Sequence, residues 1–161
     1  MCNNNNIYEL NLSTNVNLKE LECNNNNICE LNISNQKYLE ILNCSNNNIT
    51  EIIGLNLNLN LDYLIINNNN ICEAGLNIDK LINLTSLCCE NNNITKLSVY
   101  TNIKLVILNC SCDINNIIGL KELNNLSILK CINPNLDVPN SLKILCDIND
   151  PNELNLINSN G

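Results

Sequence analysis

The chain of 161 residues predicts a solenoid, in which short coils stack along one axis and a parallel β-sheet runs down one side. Three observations carry this prediction. A column of cysteines, Cys2, Cys23, Cys44, Cys89, Cys110 and Cys131, is spaced by 21, 21, 45, 21 and 21 residues, and Ile66 fills the one gap. Leucine pairs precede the column from its second member onward: Leu18 and Leu21, Leu39 and Leu42, Leu61 and Leu64, Leu84 and Leu87, Leu105 and Leu108, Leu126 and Leu129, with Leu142 and Leu145 after them. The apolar palette is almost wholly Leu and Ile with 11 Cys and neither Phe nor Trp, which suits a layered, repetitive core.

Within a coil the elements follow in order. Side chains alternate in a short strand, so Leu21 and Cys23 point inward while Glu20 and Glu22 point outward, and later coils repeat that assignment. After the column come Asn5, Asn26, Asn47, Asn69 and Asn92, then Ile7, Ile28, Ile49, Ile71 and Ile94. The unit is LxxLxCxxNxI. An inward amide at the asparagine position can bond the backbone of the loop leaving each strand, and Asn24, Asn25 and Asn27 beside it tolerate tight or left-handed backbone. The second half of some coils copies the first: Ile28-x-x-Leu31-x-Ile33, Ile7-x-x-Leu10-x-Leu12 and Ile94-x-x-Leu97-x-Val99 read as extended. Where IIGLNLNLN, EAGLNIDKLIN and IIGLKELNN stand instead, short helical or 3₁₀ turns are expected. We read one domain: an incomplete first repeat over 1–17, regular repeats over 18–141, and a C-terminal repeat or cap over 142–161, where prolines enter.

The unit resembles the leucine-rich repeat family, whose LxxLxLxxNxL segment it matches with Cys in place of the third Leu. It is similar to the nested 21-residue subclass, in which the back of each coil is also extended. The resemblance implies a right-handed, β-dominated solenoid of the α/β horseshoe class. Its parallel sheet would form the concave face, with extended, 3₁₀ and short helical segments on the convex side. It further implies a binding protein that uses the concave sheet. The abundance of Asn, Ile, Lys and Tyr matches an AT-rich genome, as in large DNA viruses of amoebae or amoebae themselves; the chain is similar to leucine-rich repeat proteins of the amoebal giant viruses, and if it is viral an adaptor engaging host proteins is the natural expectation.

Composition excludes several classes. All eight basic residues are Lys and there is no His, which removes the usual general base, the commonest metal ligand and the bidentate guanidinium fork. A net charge of -8 repels polyphosphate, so a nucleic-acid partner is not expected. The sequence has no long apolar run, no leader pattern, no glycine-rich phosphate loop and no Ser–His pair. We expect a cytoplasmic, non-enzymatic protein without cofactor or metal, lying in the host cytoplasm if viral. The cysteine column reads as stacked buried thiols acting as small hydrophobes, against the alternatives of metal site, nucleophile or disulfides. Cys88, Cys112 and Cys146 fall at outward or edge positions, where oxidation is expected.

Function must then lie on outward positions. One column reads Glu20, Ile41, Tyr63, Ser86, Ile107, Ile128 and Ile144, and its neighbour reads Glu22, Asn43, Ile65, Cys88, Asn109, Lys130 and Cys146. From these we expect partner contact at Ile41, Tyr63, Ile65, Ser86, Ile107, Ile128, Lys130 and Ile144, because an apolar stripe with polar flanks marks an interaction face. A third column, Glu9, Glu30, Glu51 and Glu73 followed by Lys96, either keeps an edge soluble or attracts a basic partner or hard cation. The leading expectation is a module that binds a protein, as monomer or homodimer. The alternative is a structural, self-associating protein joined through the open first coil or the isoleucine stripe.

Overall fold

The computed structural model describes residues 1–110, 114, 116–131, 137–146 and 154–156. Cys112, Asp113, Pro134 and most of the tail beyond 146 lie outside these residues.

Three-residue strands alternate between the two sides of each coil. On one side lie β1 (Glu20–Glu22), β3 (Ile41–Asn43), β5 (Tyr63–Ile65), β6 (Ser86–Cys88), β8 (Ile107–Asn109), β10 (Ile128–Lys130) and β11 (Ile144–Cys146). With β12 (Leu154–Leu156) they form an eight-stranded sheet in the order β1-β3-β5-β6-β8-β10-β11-β12. The first seven are parallel and in register, Leu21 beside Leu42, Leu42 beside Leu64, and so on to Leu145; β12 runs antiparallel to β11. Parallel strands this short have no crossover of their own to hide in, so each coil depends on its neighbours for burial.

The core follows the leucine columns. Leu42, Leu64, Leu87, Leu108 and Leu129 have no exposed surface, and Cys23, Cys44, Ile66, Cys89 and Cys110 stack behind them, also fully buried. Cys2 is half-buried in the first coil and Cys131 is buried at the far end. Burial pushes the Cys23 thiol up to about 12, with Cys2 adding to the effect, and raises Cys44 well above its ordinary value. Thiols held neutral in this way behave as packing groups rather than nucleophiles.

At the first corner, where each strand of the large sheet ends, Asn4, Asn25, Asn46, Asn68 and Asn91 take φ between 50° and 58°. Asparagine is the non-glycine residue best suited to that left-handed backbone. The next residue turns its amide inward. The Asn47 Nδ2 donates to the carbonyls of Cys23 (3.0 Å), Cys44 (3.0 Å) and Ser45 (3.2 Å), and its Oδ1 accepts from the Ile28 amide at 3.0 Å. Asn26, Asn69 and Asn92 repeat this set one coil at a time, each completing the backbone of the coil before it. Asn5 is exposed, and its side-chain amide bonds only its own coil, donating to the carbonyls of Cys2 and Asn3.

The back differs from coil to coil. β2 (Glu30–Asn32) pairs with β4 (Glu51–Ile53), and β7 (Lys96–Ser98) pairs with β9 (Asn116–Ile118), both parallel. Between them the chain makes 3₁₀ turns at Leu55–Leu57 and Glu73–Gly75. The structure corrects the expectation for IIGLKELNN: its first residues are strand, and Gly119 at φ 85° turns the chain out of it. A side chain at Gly119 would meet the Tyr100 Cα at 2.4 Å, which accounts for the glycine. Ile7 to Leu12 also departs from expectation, forming no strand. It leaves a groove of about 510 Å³ between Tyr8–Ser13 and Cys29–Gln36.

Candidate protein-interaction face

The register of the large sheet places the outward residues in two straight files. Glu20, Ile41, Tyr63, Ser86, Ile107 and Ile128 are paired strand to strand, and so are Glu22, Asn43, Ile65, Cys88, Asn109 and Lys130; the backbone of Ile144 and Cys146 continues the register. Each central leucine anchors its strand in the core, which forces its two neighbours outward.

Exposure then sorts the expected contact residues. Tyr63 is 43% exposed, Ile41, Ile65, Ile107 and Ile128 are half-buried, and Lys130 is exposed. Ser86 is the correction: at 6% exposure it is buried, because a small side chain between Tyr63 and Ile107 lies beneath its taller neighbours. Asn109 is likewise buried, and among the described residues its Oδ1 meets no donor. Ile144 keeps its place in register, with its side chain outside the described residues. The face is thus a low aliphatic surface with one projecting phenol. Glu20 and Glu22 mark one end, and Lys130 stands toward the other, on the strand before β11.

One flank of the sheet is polar. Lys19 and Glu40 form an ion pair at 2.7 Å between exposed side chains, and the Thr85 hydroxyl donates to Asp62. Surface pairs of this kind contribute little to stability, so the flank sets solubility and orientation rather than strength.

Cys88 is half-buried on the face, and burial raises its thiol above the ordinary value. Among the described residues the exposed thiols are instead Cys29 and Cys72, at the back. They each follow an inward isoleucine, Ile28 or Ile71, and that position was the signal for exposure.

The glutamate column does not hold together as a column. Glu30 and Glu51 are paired across β2 and β4, but Glu73 sits in a 3₁₀ turn and serves the next coil. The Thr95 hydroxyl donates to it, as do the amides of Thr95 at 2.8 Å and Lys96 at 3.1 Å. These bonds, the hydroxyl first, hold the Glu73 carboxyl down at about 2. Among the described residues, no group of three or more His, Cys, Asp or Glu is placed to hold a metal ion.

Two features escaped the reading of the sequence. A second file of amides, Gln36, Asn58 and Asn102, is buried at the corner that leads into each strand of the large sheet. A second exposed apolar file, Leu59, Ile82 and Ile103, runs along the same corner with 50%, 55% and 55% exposure. Both become visible by aligning the residues just before the first leucine of each repeat.

No family model matches the chain, and no curated protein matches it. Among solved structures it is similar to the functional domain of InlJ from Listeria monocytogenes, described as including a cysteine ladder. The TM-score is 0.78 at 25% identity, over 88% of this chain and 32% of that one. The chain therefore spans about a third of that neighbour's length. The likeness supports a leucine-rich-repeat-like, parallel-strand solenoid dominated by β-structure. Among the described residues no helix is long and apolar enough to cross a membrane.

Proposed function

We propose that this chain is a protein-interaction module, a scaffold rather than an enzyme, and that its partner docks on the outer face of the large sheet. The observation that carries the reading is the file Ile41, Tyr63, Ile107 and Ile128. It consists of aliphatic and phenolic side chains held outward in strand register where a solvated sheet would carry polar ones. The leucine-rich-repeat-like neighbour adds support, since that architecture commonly serves as an interaction scaffold. A rigid, prepaid surface of this sort loses little side-chain freedom on binding, because its isoleucines are already half-packed.

The test uses Ile107→Asp and Ile128→Asp, with Ile82→Asp at the corner as the control. Face variants should keep the wild-type circular dichroism spectrum and lose the partners that the wild-type chain retains, while the corner variant keeps them. Retention of every partner by both face variants would sink the proposal.

A further inference from the structure

Taking the sheet face as the binding surface, we propose that it also pairs with itself: a second copy of this chain docks face to face about a two-fold axis. The axis runs along the strands, between β5 and β6.

The argument starts from charge. Along one file the chain places Glu22 on β1 and Lys130 on β10, at opposite ends of six successive strands. Among the described residues the ion pairs are Lys19 with Glu40 and Lys121 with Asp137, so neither Glu22 nor Lys130 is paired within the chain. A rotation about an axis parallel to the strands reverses the order of strands but keeps each file opposite itself. Glu22 then faces the partner's Lys130, and Lys130 faces the partner's Glu22. A heterologous ligand would have to match this acidic-to-basic gradient, whereas a second copy matches it by symmetry.

The same operation sorts the remaining positions. Ile41 meets the partner's Ile107, Ile65 meets the partner's Cys88, and Asn43 meets the partner's Asn109. At the centre of the strip apolar groups therefore face apolar groups, and amide faces amide; the exception is the outermost pair of the first file, where Glu20 meets the partner's Ile128 at the solvated rim. Asn43 accepts from Ser45 through its Oδ1, at 3.2 Å from the amide and 2.8 Å from the hydroxyl, which leaves its Nδ2 as an outward donor. Tyr63, the tallest side chain of the face, stands opposite the partner's Ser86, the lowest. Sheets packed in this way lie about 10 Å apart. Six strands at about 4.8 Å make a narrow strip, so the contact belongs to the small, reversible class under about 1,200 Å² in total.

Sedimentation equilibrium over about 1 µM to 1 mM, the weak range for a contact of this size, tests the proposal. The wild-type chain should show a reversible dimer that weakens with added salt. Glu22→Lys and Lys130→Glu, each alone, bring like charges together twice and should raise the dissociation constant about tenfold or more. An equimolar mixture of the two variants should restore association as a heterodimer, since both contacts become opposite in sign. These positions lie on the surface, and unchanged circular dichroism verifies that the variants fold.

A wild-type chain that stays monomeric throughout overturns self-pairing. So does a mixture that associates no better than its components. If the chain is monomeric and Ile107→Asp still loses an unrelated ligand, the face reading stands and self-pairing alone falls. If the dimer persists unchanged in Ile107→Asp, the face has no part in it and self-pairing through this surface is overturned.

Discussion

At the corner that closes each strand of the large sheet, one residue type serves in five successive coils: Asn5, Asn26, Asn47, Asn69 and Asn92. At the corner that opens each parallel strand, the equivalent places hold Asn15, Gln36, Asn58, Leu81, Asn102, Leu123 and Pro139. Both positions are largely buried, yet only the first is strict. The hydrogen bonds show why. At the first corner Ile7, Ile28, Ile49 and Ile71 have amides whose acceptor is the side-chain oxygen of the next coil's asparagine. At the second corner the backbone closes on itself: Leu81 donates to Ile78 at 2.9 Å and Leu84 to Leu81 at 3.1 Å, as Asn58 does to Leu55 and Leu61 to Asn58. Asn102 adds Nδ2 bonds of 3.0 Å to the Ile78 and Leu81 carbonyls, but its Oδ1, like that of Asn58, meets no donor among the described residues. A buried polar side chain is obligatory where the backbone has no other partner and optional where it has one.

The sharpest way to break this contrast is Asn47→Leu. It orphans the buried Ile28 amide and removes three donor contacts, so we expect a loss of about 3 kcal/mol or more in urea unfolding. Asn26→Ala should likewise destabilise far more than Asn24→Ala; equal effects would mean that the inward amide has no special place. Asn25→Ala should cost about 1 kcal/mol, because alanine resists the left-handed backbone, and Asn25→Gly should recover most of it. Asn102→Leu should change stability by less than about 1 kcal/mol, since it discards an idle buried oxygen and installs the residue already found at 81 and 123. A loss as large as that of Asn47→Leu would erase the distinction between the corners.

The glutamates offer the smallest test. Glu73 is depressed from 4.5 to about 2, so its contribution is whole above about pH 4.5 and fades as pH falls through about 2. The stability gap between the wild-type chain and Glu73→Gln should therefore close on acidification across that window, as read by urea unfolding at a series of pH values.

Legibility in the sequence followed the same physics. The inward leucines and the asparagine corner were readable because the leucines recur in coil after coil and the asparagine in five in succession, and the sheet register matches the columns of the sequence residue for residue. Strand content at the back was less readable, because Ile7 to Leu12 carries the same pattern as Ile28 to Ile33 without forming a strand. The opening corner was unreadable, since its self-closing turns accept Gln, Asn, Leu or Pro. On the face, the files were readable and the heights were not. Ser86 sinks between Tyr63 and Ile107, something only neighbouring coils decide.

The asparagine corner also has a sense of direction. Asn26 completes Cys2 and Ile7, and Asn47 completes Cys23 and Ile28, so each coil is finished by an amide delivered 24 or 19 residues later in the chain. During synthesis from the N-terminus, every new coil thus brings the fastener for the one already made. Only the growing tip presents unfinished backbone to its surroundings, and the nascent protein can set behind it like a zip drawn one tooth at a time.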